Sequence, residues 1–122
     1  MTTDKKTVVL GASTNPSRYS NIAVRKLQRY GHSVIPVGVK AGLINGIEIQ
    51  KGSPDIESVD TITLYLNPAR QKPHYNYILG LNPKRIIFNP GTENPELMRL
   101  ADEKGIEVEI ACTLVMLSVG NY

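Results

Sequence analysis

Cysteine and histidine are scarce in this sequence. The 122 residues contain a single cysteine, Cys112, so no disulfide can form within the chain, as is usual in a reducing compartment. Neither of the two histidines has the spacing to a second histidine or cysteine that metal ligands show. We therefore expect neither a disulfide-stabilised scaffold nor a metal site.

Long hydrophobic segments and clusters of positive charge are also missing. No apolar run approaches the roughly 20 residues that cross a bilayer, and the opening stretch MTTDKKTVVL lacks the apolar core of a signal peptide. The formal net charge is only +3, and the longest basic cluster is the pair Lys5-Lys6, which does not favour a nucleic-acid partner. The sequence thus predicts a cytoplasmic protein that binds neither membranes nor nucleic acid.

An alternation of apolar strands and amphipathic helices runs along the chain. Its hydrophobic content of 41% suits one domain with a modest core, which we place over residues 1–122. Strands are predicted over 7–10, 33–37, 61–66, 85–88 and 106–110, with a short edge strand within 38–60. Helices are predicted over 22–30, with Ser20 as the cap, over 73–79 and over 95–104, and single helical turns over 54–58 and 113–117.

The apolar character of these strands decides the fold class. Strands without polar alternation are covered on both faces, as in parallel sheets. Right-handed crossovers then give an α/β, Rossmann-like doubly wound parallel sheet of about five strands, in the order 3-2-1-4-5. In such sheets the ligand lies beyond the carboxyl ends of the strands at the switch point, which we expect between strands 1 and 4.

Small and polar residues follow the predicted strands at that edge. The candidate ligand-binding residues are Gly11, Ala12, Ser13, Asn15, Pro16, Ser17, Arg18 and Ser20 after the first strand, Gly38, Val39 and Lys40 after the second, Asn67 and Pro68 after strand 61–66, and Gly91 after strand 85–88. Gly11 permits a tight turn and a close approach, and the free amides of the following helix attract an anion. We predict a phosphate-binding loop, against the alternative that any α/β domain needs a glycine and a polar loop here.

The turn after the second strand bears on the identity of the ligand. NAD sites place an acidic residue there to bind the ribose hydroxyls, whereas this chain has Val39 and Lys40. A cation at this point favours a ribose phosphate, as in NADP or coenzyme A. The alternative reading of Lys40 is a solvated surface lysine.

Four segments of the sequence carry a resemblance to a known family. They are VVLGASTNPSRYSNIAVRKLQRYGHSVIPV, VDTITLYLNP, RIIFNPGTENPEL and GIEVEIACTLVML. Together they resemble the small stand-alone CoA-binding proteins of bacteria, which share a Rossmann-like domain with the amino-terminal part of the succinyl-CoA synthetase alpha subunit. The resemblance covers about residues 6–117. The family pattern V-N-P is replaced here by Val37-Gly38-Val39, and D-R-C by Ile110-Ala111-Cys112.

The resemblance implies a division of labour among the turns. It implies that Gly11, Ala12, Ser13 and the loop as far as Ser20 hold the CoA phosphates. It also implies that residues 37–40 meet the adenosine part, and that residues 66–68 and Gly91 line the groove along the pantetheine. It supplies no catalytic residue.

These observations lead to a functional expectation. We expect a small-molecule nucleotide ligand, coenzyme A or an acyl-CoA, bound without catalysis; an NADP-binding oxidoreductase-like protein and a ligand-free interaction module are the alternatives. Whether the protein is an enzyme stays open, with the balance against it. Cys112 is interpreted as core packing and His32 as a surface residue. Glu93 is interpreted as a helix cap after Gly91, with a general base as the alternative. An exposed edge strand favours a homodimer.

Overall fold

A parallel sheet with helices on both faces is the central feature of the fold. The computed structural model describes residues 3–122. The strands are β1 (Thr7–Leu10), β2 (Val34–Gly38), β3 (Leu43–Ile44), β4 (Ile47–Glu48), β5 (Gln50–Lys51), β6 (Thr61–Leu64), β7 (Arg85–Phe88) and β8 (Glu107–Ile110). The helices are α1 (Tyr19–Arg29), α2 (Pro68–Gln71), α3 (Tyr75–Gly80), α4 (Pro95–Glu103) and α5 (Thr113–Val119), and a 3₁₀ turn, Lys72–His74, joins α2 to α3. The first two residues of the stretch inspected for a signal peptide lie outside the described residues.

The main sheet has the strand order β5-β2-β1-β6-β7-β8, and all of its neighbouring strands are parallel. The chain winds outward from β1 to β5, then returns to the other side of β1 as β6. The predicted α/β, Rossmann-like doubly wound fold is therefore confirmed. The predicted strand order is wrong: it places strand 61–66 outside strand 33–37 and strand 85–88 beside strand 7–10, whereas β6 lies between β1 and β7, so that the switch point lies between β1 and β6. The predicted number of about five strands is wrong, because the segment after β2 contributes β5 as a sixth, two-residue edge strand.

The segment between β2 and β6 was the least regular part of the prediction. β3 and β4 pair as a small antiparallel hairpin whose tip is Asn45-Gly46, both with positive φ, as a two-residue hairpin turn requires. Ile44 anchors this hairpin in the core beneath α1. The helical turn predicted over 54–58 is wrong: this segment is irregular, and Ser58 has a φ of 57°.

Two helices begin earlier than the sequence predicts. α1 starts at Tyr19 rather than at residue 22, so Ser20 lies in its first turn and is not its cap. α2 starts at Pro68, directly after Asn67, whose side chain accepts a hydrogen bond from Arg70 N at 2.9 Å. Asn67 and Pro68, which directly follow the predicted strand 61–66, thus begin a helix, since proline suits a first turn.

The core forms two layers, because successive side chains of a strand point to opposite faces of the sheet. On one face Val8, Ile62 and Ile86 pack with Ile78 of α3 and with Leu97 of α4. The opposite face, beneath α1 and α5, is covered through a second cluster whose members include Val9, Val24, Leu27 and Leu117. Burial on both faces explains why the strands are nearly free of polar alternation. Within the described part of the chain, no helix is long and apolar enough to cross a membrane.

Candidate functional site

The turns after β1, β2 and β6 meet at the carboxyl edge of the sheet. The carbonyl oxygen of Val37, in β2, accepts hydrogen bonds from the amides of both Gly11 and Ala12, each at 2.9 Å. Tyr65 N, just after β6, donates to Leu10 O at 2.9 Å. The first two residues of the predicted phosphate loop therefore bond to the sheet. They shape the loop, and the amides that remain for a ligand lie further along it.

Two glycines make this close meeting of turns feasible. Gly11 has a φ of +99°, and a Cβ there would lie 3.1 Å from the backbone of Tyr65 and from the side chain of Leu66. Gly38 has an ordinary φ, but a Cβ on it would overlap the carbonyl oxygen of Ala12. Replacement of the family's V-N-P pattern by Val37-Gly38-Val39 thus has a local physical consequence, because the missing side chain admits the loop after β1.

The loop between β1 and α1 is organised by its own side chains. Asn15 Oδ1 accepts from the amide of Ser17 at 3.0 Å and from its hydroxyl at 2.8 Å. Ser13 Oγ accepts from Asn15 N at 3.1 Å. Asn15, Pro16, Ser17 and Arg18 are exposed. The loop is therefore held in one conformation while its outer surface faces solvent.

Two residues of α1 brace this loop, and sequence reasoning missed both. Asn21 is buried; its Nδ2 donates to Ser13 O at 2.8 Å, and its Oδ1 accepts from Arg25 Nε at 2.9 Å. Arg25 Nη2 in turn donates to Pro16 O at 3.1 Å. The signal was present in the sequence, because Asn21 and Arg25 stand four residues apart, the spacing that brings side chains together on a helix.

Three backbone amides remain open at the start of α1. The first helical hydrogen bond runs from Ile22 N to Arg18 O. Arg18 supplies no side-chain cap, and the first turn carries no acidic residue. Across residues 3–122, no backbone or side-chain acceptor contacts the amides of Tyr19, Ser20 or Asn21. Such amides, together with the positive end of the helix dipole, attract an anion.

The turn after β2 lies against this loop. A Cβ on Gly42 would overlap the methyl group of Thr14, which places residues 38–42 beside residues 11–14. Val39 is 85% exposed, an unusual state for a valine, and Lys40 is exposed beside it. An apolar side chain and a cation are therefore presented together at one side of the loop.

Gln71 joins the turns that follow β6 and β7, a role that no sequence pattern indicates. Its side chain is fully buried, and its Nε2 donates to Leu66 O and to Thr92 O, both at 2.8 Å. Asn67, Pro68 and Gly91 lie exposed on these two turns. Gly91 N donates to a Glu93 carboxylate oxygen at 2.8 Å. The prediction that Glu93 caps the helix is wrong, because Asn94 is the N-cap of α4.

A buried polar cluster lies below the edge, at the start of α5. Asn89 Oδ1 accepts from Thr113 N at 2.9 Å, so a side chain from the end of β7 caps this helix. Asn89 Nδ2 donates to Thr63 Oγ1 at 2.7 Å, and the hydroxyls of Thr63 and Thr113 lie 2.8 Å apart. Cys112, directly before the helix, is half-buried. These hydrogen bonds fix α5 against the sheet.

The Tyr65 hydroxyl is the least satisfied group of this region. It is buried and contacts no hydrogen-bond partner among residues 3–122. Burial raises the pKa of this hydroxyl well above its ordinary value, and the neighbouring Cys112 adds to the increase. Tyr65 is therefore a neutral packing residue at physiological pH.

The two histidines lie in different parts of the fold. His32 lies before β2, at the amino edge of the sheet, and His74 lies in the 3₁₀ turn between α2 and α3. The prediction that His32 is a surface residue is wrong: it is 9% exposed, its Nδ1 accepts from Lys5 N at 3.0 Å, and its ring lies 4.9 Å from that of Tyr122. Burial lowers the pKa of His32. His74 is half-buried in the turn before α3. In the part of the chain that the structure describes, no three His, Cys, Asp or Glu residues group as metal ligands do.

Solved structures with the same fold include proteins of unassigned role. A crystal structure of an uncharacterized protein is 53% identical, with 99% of this chain and 100% of that chain covered and a TM-score of 0.96. A hypothetical protein from Pyrococcus horikoshii OT3 is 27% identical over 95% of this chain and 83% of its own, with a TM-score of 0.84. A conserved hypothetical protein from Pyrococcus furiosus is 27% identical over 86% and 91%, with a TM-score of 0.76.

The family assignment comes from a family model described as "CoA binding domain". Comparison with curated proteins found no match. The family model, in contrast, matches residues 5–118, which include β1, the braced loop and all of the turns at the carboxyl edge. The match confirms the resemblance drawn from the sequence segments, and the chain belongs to the CoA-binding domain family.

Proposed function

We propose that this protein binds coenzyme A or an acyl-CoA non-covalently and performs no catalysis on it. Membership of the family supports CoA binding in general. The observation that carries the finer proposal is the set of three open amides at the start of α1, next to a loop that is already ordered. We place this function in one binding unit over residues 1–122.

The CoA phosphates are assigned to the loop after β1. The open amides of Tyr19, Ser20 and Asn21 provide donors at the positive end of an 11-residue helix. The exposed guanidinium of Arg18 stands next to them in the chain and adds a charge that suits a pyrophosphate. Gly11, Ala12, Ser13, Asn15, Pro16 and Ser17 form the floor and wall of this subsite.

The adenosine part is assigned to the turn after β2. Gly38 lets this turn approach the loop, and the exposed Val39 offers an apolar surface for a base. Lys40 supplies a cation that suits a phosphate on the ribose. NADP carries such a phosphate too and is therefore the competing ligand.

The pantetheine arm is assigned to the groove past Asn67, Pro68 and Gly91. These exposed residues stand on two turns that Gln71 holds at a fixed separation. The absence of catalysis is supported by the state of one nearby ionisable group. Burial raises the pKa of the Tyr65 hydroxyl, so that this group is not poised to transfer a proton.

Calorimetric titration with CoA, an acyl-CoA, NADP and NAD tests the proposal. We expect binding of CoA or the acyl-CoA, and a loss of about tenfold in affinity for Arg18→Gln, since one charge-assisted hydrogen bond is removed. Arg99→Gln is the matched control, because Arg99 lies on α4 and pairs with Glu103 at 3.0 Å. Preference for NADP over CoA overturns the proposal, and no binding of any of the four ligands favours a ligand-free interaction module.

A further inference from the structure

The charges of this chain are divided unequally along its length. No Asp or Glu occurs in residues 5–47, whereas ten of the eleven acidic residues lie from Glu48 onward. The same stretch contains seven basic residues: Lys5, Lys6, Arg18, Arg25, Lys26, Arg29 and Lys40. The strands β1 and β2 within this stretch are uncharged, so the positive charge lies on α1 and on the segments that precede and follow the strands.

Residues 5–47 contain no carboxylate side chain that could neutralise their seven cations. Within residues 3–122 the ion pairs are Arg85 with Glu109, at 3.6 Å, and Arg99 with Glu103, at 3.0 Å. The first pair joins β7 to β8 and the second lies on α4, so neither pair involves a residue of α1. Neither arginine of α1 forms an ion pair within the described chain; the acidic residues that flank the basic stretch are Asp4, which binds Ser33, and Glu48 on β4.

Two of these arginines line a cleft between α1 and the β3–β4 hairpin. The cleft has a volume of about 460 Å³ and is lined by Arg25, Gln28, Arg29 and Asn45. Residues 25, 28 and 29 share one side of the helix, because side chains three and four positions apart are neighbours. Asn45 faces them from the hairpin tip, and its Nδ2 donates to Gln28 Oε1 at 2.8 Å.

The lining of this cleft is pre-ordered and rich in donors. Arg25 is held by its bonds to Asn21 Oδ1 and Pro16 O, at 2.9 and 3.1 Å, which leave its Nη1 without a protein acceptor in residues 3–122. The Asn45–Gln28 bond uses the acceptor of Gln28, so the second hydrogen of Asn45 Nδ2 and both hydrogens on Gln28 Nε2 remain. The cleft thus presents two guanidinium groups and amide donors.

We propose that this cleft is a second anion site that binds a phosphate monoester. Guanidinium groups bind phosphate oxygens in pairs of parallel hydrogen bonds, and the second negative charge of a phosphate monoester suits a cleft with two guanidinium groups. The site is separate from the three open amides of α1, and it does not depend on the proposed binding of CoA. A free phosphate and a phosphorylated side chain of another protein share this chemistry.

NMR titration of backbone amides, with inorganic phosphate and with a phosphoserine peptide as probes, tests this site. We expect shifts at Gln28, Arg29 and Asn45, and binding about tenfold weaker in Arg29→Gln. Arg29 is the residue to change, because Arg25 also braces the loop at Pro16. Tighter binding of the peptide than of inorganic phosphate assigns the phosphate group to a protein partner. Tighter binding of inorganic phosphate assigns it to a free metabolite. Either result supports the site.

The matched control is again Arg99→Gln, which removes the same charge from α4. Equal weakening in both variants means that the anion responds to net charge alone, and overturns the proposal. Shifts confined to residues 19–21 mean that phosphate enters the proposed CoA subsite, and also overturn it. CoA affinity unchanged in Arg29→Gln but reduced in Arg18→Gln shows that the two proposals stand or fall separately.

Discussion

At the scale of single residues, Gly38 has the most demanding surroundings in the candidate site. Its φ is ordinary, so that space and not backbone conformation requires a glycine. A Cβ would overlap Ala12 O, whose own position is set by the bond from Ala12 N to Val37 O. The turn after β2 must move outward to admit even one methyl group.

We expect Gly38→Ala to lower the free energy of unfolding by roughly 1–3 kcal/mol, the usual effect of overpacking. Urea denaturation measures it. Gly80→Ala is the control, because no atom lies within 4 Å of the added Cβ and the residue is helical; it should stabilise by about 0.4–1 kcal/mol. If Gly38→Ala is as stable as Gly80→Ala, the crowding around Gly38 is contradicted.

Tyr65 gives a prediction of the opposite sign. Its hydroxyl is buried without a partner, so Tyr65→Phe should leave the free energy of unfolding unchanged or raise it by up to about 1 kcal/mol. In Tyr77 the hydroxyl donates to Pro54 O at 2.6 Å, and Tyr77→Phe should cost about 1 kcal/mol. Thermal denaturation of the two variants compares them; a larger loss for Tyr65→Phe would reveal a hydrogen bond that the structure lacks.

Residue roles were only partly predictable from the sequence. The tight turn at Gly11, which has a φ of +99°, could be predicted because it depends on the glycine itself. Gln71 and His32 could not, because their partners, Thr92 and Lys5, lie 21 and 27 residues away. Which polar residue becomes buried depends on the finished packing, and no local pattern encodes it.

At the scale of elements, caps decide how well a helix could be predicted. α4 begins where Asn94-Pro95 predicts, and Asn94 Oδ1 accepts from Leu97 N at 3.3 Å. α1 begins earlier than predicted because its cap position holds Arg18, whose side chain makes no capping bond. A helix that leaves its first amides open gives no sequence signal at its start, and these open amides are the basis of the proposed phosphate site.

Asn94→Ala should destabilise the protein by about 2–3 kcal/mol. It removes a cap, worth about 1 kcal/mol, and two bonds from Asn94 Nδ2, to Gln71 Oε1 at 2.9 Å and to Tyr75 Oη at 2.8 Å, worth about 1 kcal/mol each. Asn76→Ala is the control on the exposed side of α3. Chemical denaturation of both variants is the measurement, and equal stabilities would mean that Asn94 neither caps α4 nor fixes Gln71.

The strands could be predicted more accurately than the connections between them. β1, β6 and β7 are fully buried, so their apolar sequence reflects their environment directly. β5 has two exposed residues and is a strand only through its pairing with Val37 and Gly38. Such a pairing depends on the register of distant segments, which explains why the sequence predicts a short edge strand only somewhere within residues 38–60.

At the scale of the whole molecule, the amino edge of the sheet couples stability to pH through His32. Burial lowers its pKa below the ordinary value of 6.5, Lys5 and Arg85 lower it further, and Asp4 and Asp60 oppose them. Below pH 6.5 the unfolded chain therefore binds a proton that the folded chain resists. The contribution of neutral His32 to the free energy of unfolding is therefore fully present above pH 6.5, and it decreases as the pH falls toward the lowered pKa.

Urea titrations between pH 5 and pH 8 should show this decrease. His32→Asn is the control variant, because an amide oxygen can still accept from Lys5 N but does not titrate. We expect the variant to lose the part of the pH dependence that begins near 6.5. A variant with the same pH profile as the original protein would mean that other groups produce it.

The homodimer stays a prediction at this scale. β8 is an edge strand, and Ile110 at its end is 65% exposed, near the exposed Val115 of α5. The binding of CoA rather than NADP, and the residues assigned to each part of the ligand, stay proposals as well. Fold and family could be predicted because they depend on patterns spread along the whole chain.

The unequal division of charge has a consequence for kinetics. The stretch 5–47, with seven cations and no acidic residue, attracts a polyanion before the two molecules touch. Encounter with such a ligand is therefore faster than random collision, and the association rate constant falls as ionic strength shortens the Debye length below about 10 Å. The dissociation rate, set by contacts inside the groove, is far less sensitive to salt.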